Sequence, residues 1–320
     1  MSTTLPPPLP PPLPPPGETA VPNATPGWPN AASGPGPTMP GFPAPPAWKG
    51  PSAGVIAALV GGCVAGVAAL AAVAWFALGG GAPSPGDRKV VKVGDAEIAL
   101  RWCPPGEFTM GSPADEDGRD DDETQHRVTL TQGFWLGETE VTQGLWVEVM
   151  GDNPSYFKAG DNRPVEQVSW YDCQEFLRRL NAKAPAGWRF ALPTETQWEY
   201  ACRAGTTGAH GGTGSLDDMG WYERNSGETT HPVGQKRPNA WGLRDMHGNV
   251  WEWCADWYGP YPTSAATDPS GPSSGSYRVL RGGSWDFNAR LCRSASRINF
   301  FDPGYRYNYL GFRVALVPVQ

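Results

Sequence analysis

Apolar and polar positions follow three regimes along this chain. Residues 54 to 78 read GVIAALVGGCVAGVAALAAVAWFAL, without a charge. From about 98 to 205, short apolar runs alternate with turn residues. Ile98–Trp102, Phe108–Met110, Val128–Leu130 and Phe134–Leu136 predict strands, the first two parted by Pro104-Pro105-Gly106. In VSWYDCQEFLRRLNAK, Ser169 and Asp172 form a capping-box pattern, and Trp170, Cys173, Phe176, Leu177 and Leu180 share one helical face. LPTETQWEYACRAG repeats the cap with Thr194 and Gln197, and Gly205 suits a left-handed stop. A shorter helix is predicted from Gln143 to Met150. Beyond Gly205 the periodicity fades while Trp221, Trp241, Trp251, Trp253, Trp257 and Trp285 accumulate. That predicts a core of large rings packed between long loops.

Residues 1–52 are dominated by Pro, Gly, Ala and Ser, and PPPLPPPLPPP at 6–16 favours an extended polyproline rod without a core. A disordered spacer is expected there, with a ligand for a proline-recognising domain as the sharper alternative. The uncharged stretch is long enough to cross a hydrocarbon layer that needs about 20 helical residues. A transmembrane helix over 53–78 is therefore expected, followed by a linker over 79–89 and one folded domain over 90–320. Gly62 and Gly66 form a GxxxG, which would permit a homodimer by close helix pairing. Arg88, Lys89 and Lys92 beyond the helix favour a cytoplasmic domain. A short proline tail ahead of a folded domain is instead the layout of external display, and an extracytoplasmic, single-pass membrane protein is the expectation adopted.

The net charge of −7 argues against a nucleic-acid partner. Cys103, Cys173, Cys202, Cys254 and Cys292 lie outside the apolar stretch and form no CxxC. His126, His210, His231 and His247 lack HxxxH or HExxH spacing, so no histidine metal site is indicated. DEDGRDDDE at 115–123 lacks the spacing of an EF-hand loop and reads as a solvated loop.

The stretch 281–313, RGGSWDFNARLCRSASRINFFDPGYRYNYLGFR, is too irregular for a helix or strand and too aromatic for an ordinary loop. Its ends read as framework. Its interior offers a candidate recognition surface: Asp286, Phe287, Asn288, Leu291, Ser296, Ile298, Asn299, Phe300, Phe301, Tyr305, Tyr307, Asn308 and Tyr309. Tyrosine suits such a role because it gives large contact area at low entropy cost. An unknown protein or surface ligand is the partner expected.

GEFTMGS (106–112), ETEVTQ (138–143), PVEQVSWYDCQEF (164–176), LPTETQWEYACRAG (192–205), HPVG (231–234), NAWGLRDMHGNVWEW (239–253), RVLRGGSW (278–285) and GFRVA (311–315) occur in this order. The ordered set resembles the formylglycine-generating enzyme, or sulfatase-modifying factor, family. The resemblance implies an α+β domain of C-type-lectin-like fold, low in regular structure and stabilised by calcium. Carried over by motif, the calcium ligands are the Asp245 and Glu252 side chains with the Gly248 and Val250 carbonyls. A second family site implicates Asn225, though its acidic partner has no match here. The family's oxidase chemistry uses copper(I) held by two thiolates, ligands that soft Cu(I) prefers. Phe287 stands where the first of those cysteines is expected. An active formylglycine-generating oxidase, using Cys292 and Ser284, is therefore only the alternative, and copper is not expected. Cys292 then reads as a buried thiol or a disulfide partner, with Cys202 one pairing. The frame Arg281-Gly282-Gly283-Ser284-Trp285, Ala289-Arg290, Cys292-Arg293-Ser294-Ala295, Arg297 and Gly311-Phe312-Arg313 also resembles the variable proteins of diversity-generating retroelements. That implies a calcium-stabilised scaffold presenting a diversified 286–309 surface to ligands.

Overall fold

The computed structural model describes residues 82–212 and 214–319. Among them no helix is long and apolar enough to cross a membrane. The expected single-pass membrane anchor, and the extracytoplasmic placement resting on it, are therefore set aside. The 1–52 tail, the 53–78 stretch and the Gly62/Gly66 pair lie outside the described residues.

Strands β1 (Arg88–Val93) and β2 (Ala96–Cys103) form a hairpin. The first begins within the span read as linker. Then come β3 (Gly106–Met110), β4 (His126–Leu130) and β5 (Phe134–Gly137). After the helices Gln143–Met150 and Trp170–Leu180 the chain enters β6 (Trp188–Ala191) and the helix Glu195–Arg203. Among the described residues from 204 to 250 the only regular element is the short helix Leu216–Met219. The remainder supplies β7 (Trp251–Trp257), β8 (Ala266–Thr267), β9 (Arg278–Arg281), β10 (Arg297–Ile298), β11 (Leu310–Gly311) and β12 (Ala315–Pro318).

Three sheets result, ordered β1-β2-β5-β12-β6, β10-β9-β7-β11 and β3-β4-β8. The C-terminal β12 inserts antiparallel between β5 and β6, so the last strand closes the sheet that the first strands open. Both capping boxes form as the sequence predicts, from Ser169 with Asp172 and from Thr194 with Gln197. The left-handed stop begins one residue earlier than expected, at Ala204 (φ 44°), and continues through Gly205 (φ 89°).

Tryptophan dominates the core, where Trp198, Trp251 and Trp253 are fully buried. Arg281, Arg293 and Arg313 are just as deeply buried, and each meets a carboxylate. Arg281 pairs with Glu199, Arg293 with Glu116 and Glu123 (2.7 and 2.5 Å), and Arg313 with both oxygens of Glu252 (2.6 Å each). The acidic 115–123 run is thus not simply solvated. Glu123 is buried at 0% exposure, and Arg293 draws its loop onto the domain. Long loops hold their shape here because buried guanidinium forks bind carboxylates bidentately in fixed geometry.

Candidate functional site

The frame of the 281–313 segment is fixed from below. Gly282 and Gly283 have positive φ (99° and 76°), and a Cβ on Gly283 would come within 2.5 Å of the Cys292 sulfur. Only glycine lets this turn sit on the Ala289–Cys292 3-10 turn, which Asn288 caps. Trp285 passes beneath the surface, and its indole donates to the Asn308 carbonyl at 3.0 Å. At the far end, the Trp251 amide donates to the Tyr309 carbonyl (2.8 Å), and the Gln167 amide donates to that of Tyr307 (2.9 Å). Arg306 grips Asp172 at 2.6 and 2.7 Å.

Above this frame the predicted surface residues divide. Asp286, Asn288, Phe300, Tyr305 and Tyr307 are exposed, Phe300 at 75%. Phe287, Leu291, Asn299, Phe301 and Asn308 are half-buried. Ser296, Ile298 and Tyr309 are buried and belong to the scaffold. Ile298 lies in β10 paired with Leu280, so its side chain joins the main core, and Ser296 precedes that strand under the loop. Tyr309 is covered by Phe287, Phe301 and Tyr307, with ring centroids at 5.3, 5.9 and 4.5 Å.

Phe287 packs edge-on against Trp251, 5.7 Å between centroids. Cys292 is fully buried, and burial pushes its thiol up to about 12. No disulfide forms among the described residues, and all five of their cysteines are free and buried. Cys202 contacts Ser294 and His247 rather than Cys292, so the core-thiol alternative holds. Ser284 is buried with no hydrogen-bond partner for its hydroxyl.

The residues expected to hold calcium meet different fates. Asn225 is spent locally, accepting from the Tyr222 amide (2.9 Å) and donating to the Gly220 carbonyl (3.0 Å). Glu252 is held by Arg313 and by the Trp198 indole (2.7 Å). Asp245 accepts from the Gly234 amide through Oδ2 at 2.6 Å, but its Oδ1 is buried and unpartnered. Glu140, which the sequence marks only as part of ETEVTQ, likewise buries an unpartnered Oε1. Burial raises Asp245 to about 6. Burial, with repulsion from Asp245 and Glu252, raises Glu140 well above the carboxylate range. Three buried carboxylates thus share one guanidinium. Two buried oxygens without partners, one on Asp245 and one on Glu140, fit the oxygen preference of calcium.

A cavity of about 610 Å³ lies elsewhere, between the Trp170–Leu180 helix and β6, lined by Trp170, Gln174, Asn181, Arg189 and Gln197. No residue of 286–309 lines it, so the aromatic segment offers a surface rather than that cavity.

A mixed, sheet-rich α+β domain with few helices, long fastened loops and an aromatic C-terminal surface is the class of protein these features define. The model of the sulfatase-modifying factor enzyme 1-like domain matches residues 93–317, and the chain belongs to that family. It is 40% identical over 174 residues to the formylglycine-generating enzyme of Streptomyces coelicolor, covering 48% of this chain and 52% of that protein. It is 33% identical over 211 residues to the chaperone protein LppX of Paenibacillus barcinonensis, covering 49% of this chain and 71% of that one. The chain spans about half the length of the Streptomyces enzyme. Among solved structures, Treponema denticola variable protein 1 superposes with a TM-score of 0.67 at 35% identity, covering 74% of this chain and all of that one. PvdO from Pseudomonas aeruginosa gives 0.62 at 30% identity, with the same coverages. The fold is C-type-lectin-like, as the motifs imply.

Proposed function

We propose that this chain is a ligand-binding module, in which a sulfatase-modifying-factor scaffold presents the exposed part of 286–309 to a protein or surface ligand. The observation that carries this is the division within one segment. Phe300, Tyr305 and Tyr307 stand exposed, while Arg281, Arg293 and Arg313 around them are buried and paired. Large exposed aromatics on a rigid base are costly in solution and mark interaction sites. The likeness to Treponema denticola variable protein 1 supports a surface whose residues are diversified on a constant frame.

Calcium belongs to this proposal as a structural ion. Asp245 and Glu140 would hold it, with the Gly248 and Val250 carbonyls, and it would neutralise their buried charge. The oxidase reading of the family is disfavoured for two reasons. Phe287 offers no thiolate, and the buried Cys292 thiol stays protonated at neutral pH. Incubation with a CxPxR sulfatase peptide, copper and O₂ tests this. No formylglycine is expected, and its appearance would overturn the binding-only reading. Diversification is checked by sequencing the flanking DNA. A reverse-transcriptase gene and a near-copy of the 281–313 coding region are expected, and their absence removes that part.

A further inference from the structure

The aromatic surface has a charge as well as a shape. The rings of Phe301 and Tyr305 lie 4.6 Å apart and 3° from parallel, and those of Tyr305 and Tyr307 6.0 Å apart and 4° from parallel. At its Phe287 edge this array meets Asp286 and the 223–228 loop. The Glu223 amide donates to the Phe287 carbonyl at 3.1 Å, and the Ser226 hydroxyl donates to the Trp285 carbonyl at 2.9 Å, so the loop is fastened beside the rings. Asp286, Glu223 and Glu228 are all exposed, and none enters an ion pair among the described residues.

The neighbouring cations are committed elsewhere. Arg224 turns to Asp217 (3.9 Å), Arg290 to Asp120 and Arg306 to Asp172. Burial first, and then repulsion from Glu223 and Glu228, holds the Asp286 carboxyl above its ordinary range. Aromatic faces are themselves negative, so rings and carboxylates attract the same kind of group.

We infer that the surface takes a basic protein segment, whose lysine or arginine side chains pack on Tyr305 and Tyr307 and are met by Asp286, Glu223 and Glu228. This rests on the reading of 286–309 as a binding surface and narrows its partner. The same carboxylates repel nucleic acids and anionic lipid surfaces.

A phage-displayed random peptide library, panned on the full chain, provides the probe. Clones are counter-screened on Tyr305→Ala/Tyr307→Ala and on Asp286→Asn/Glu223→Gln/Glu228→Gln, both checked for unchanged melting. Tyrosine-dependent clones are expected to be rich in Lys and Arg, to bind the charge variant about tenfold more weakly, and to weaken with salt. Tyrosine-dependent clones without basic enrichment, or indifferent to the charge variant, would overturn the inference and leave the binding surface standing. A yield of no tyrosine-dependent clones would overturn the reading of the surface itself.

Discussion

Arg313 and Tyr307 lie six positions apart and have opposite energetic weight. Arg313 is buried, donates to both oxygens of Glu252, and also reaches the carbonyls of Gly137, Arg244 and Asp245. Removing it strands a buried carboxylate, which costs about 3–5 kcal/mol. Tyr307 is 44% exposed, and its loss removes only surface packing. Arg313→Met is expected to lower the melting temperature by roughly 10 °C, and Tyr307→Ala by roughly 2 °C or less. Thermal unfolding of the two single variants checks the contrast, and equal losses would erase the distinction between frame and surface. Phe287 lies between these extremes, its half-buried ring wedged between Trp251 and Tyr309.

Between elements, the buried carboxylates link the turn after β5, which carries Glu140, to the loop before β7, which carries Asp245. Asp245 is raised to about 6 by burial, so the folded state holds its proton through a range in which the unfolded chain has lost it. The stability this group contributes is full below its unfolded value near 4 and is lost as pH rises through about 6. The stability of wild type minus that of Asp245→Asn should fall across that window in chelator. The proposed calcium would need the ionised form, so the ion is expected to raise the melting temperature at pH 7 and leave it unchanged at pH 4.5. Asp245→Asn should abolish the rise. Calorimetry with calcium or EDTA checks both, and a calcium-insensitive wild type at pH 7 would remove the ion from the account.

The same scale shows what could be read from the chain. Capping boxes are local, so Ser169 with Asp172 and Thr194 with Gln197 were legible from spacing alone. The pairs that shape the loops were not. Glu123 meets Arg293 across 170 positions and Glu252 meets Arg313 across 61, and no local pattern encodes such partners. The acidic run therefore looked solvated. Within the candidate surface, residue type hid the burial of Ser296, Ile298 and Tyr309, because a two-residue strand is too short to show alternation. Glu223 and Glu228 carry no sequence signal for a related reason, since only the fold brings their loop beside Asp286.

For the whole molecule, the sheet that joins first and last strands, the tryptophan core and the buried arginine pairs form one scaffold, and the exposed rings lie outside its energetics. Replacing Asp286, Phe300, Tyr305 and Tyr307 together by alanine tests that separation most directly. Melting curves of this variant and of wild type are compared with and without a tyrosine-dependent peptide selected by the wild type. Without peptide, the variant is expected to melt within roughly 5 °C of wild type, because each exposed change is worth at most about 0.5 kcal/mol. The peptide should then raise the melting temperature of wild type alone. A variant that unfolds outright, or that the peptide stabilises as strongly as wild type, would contradict the account.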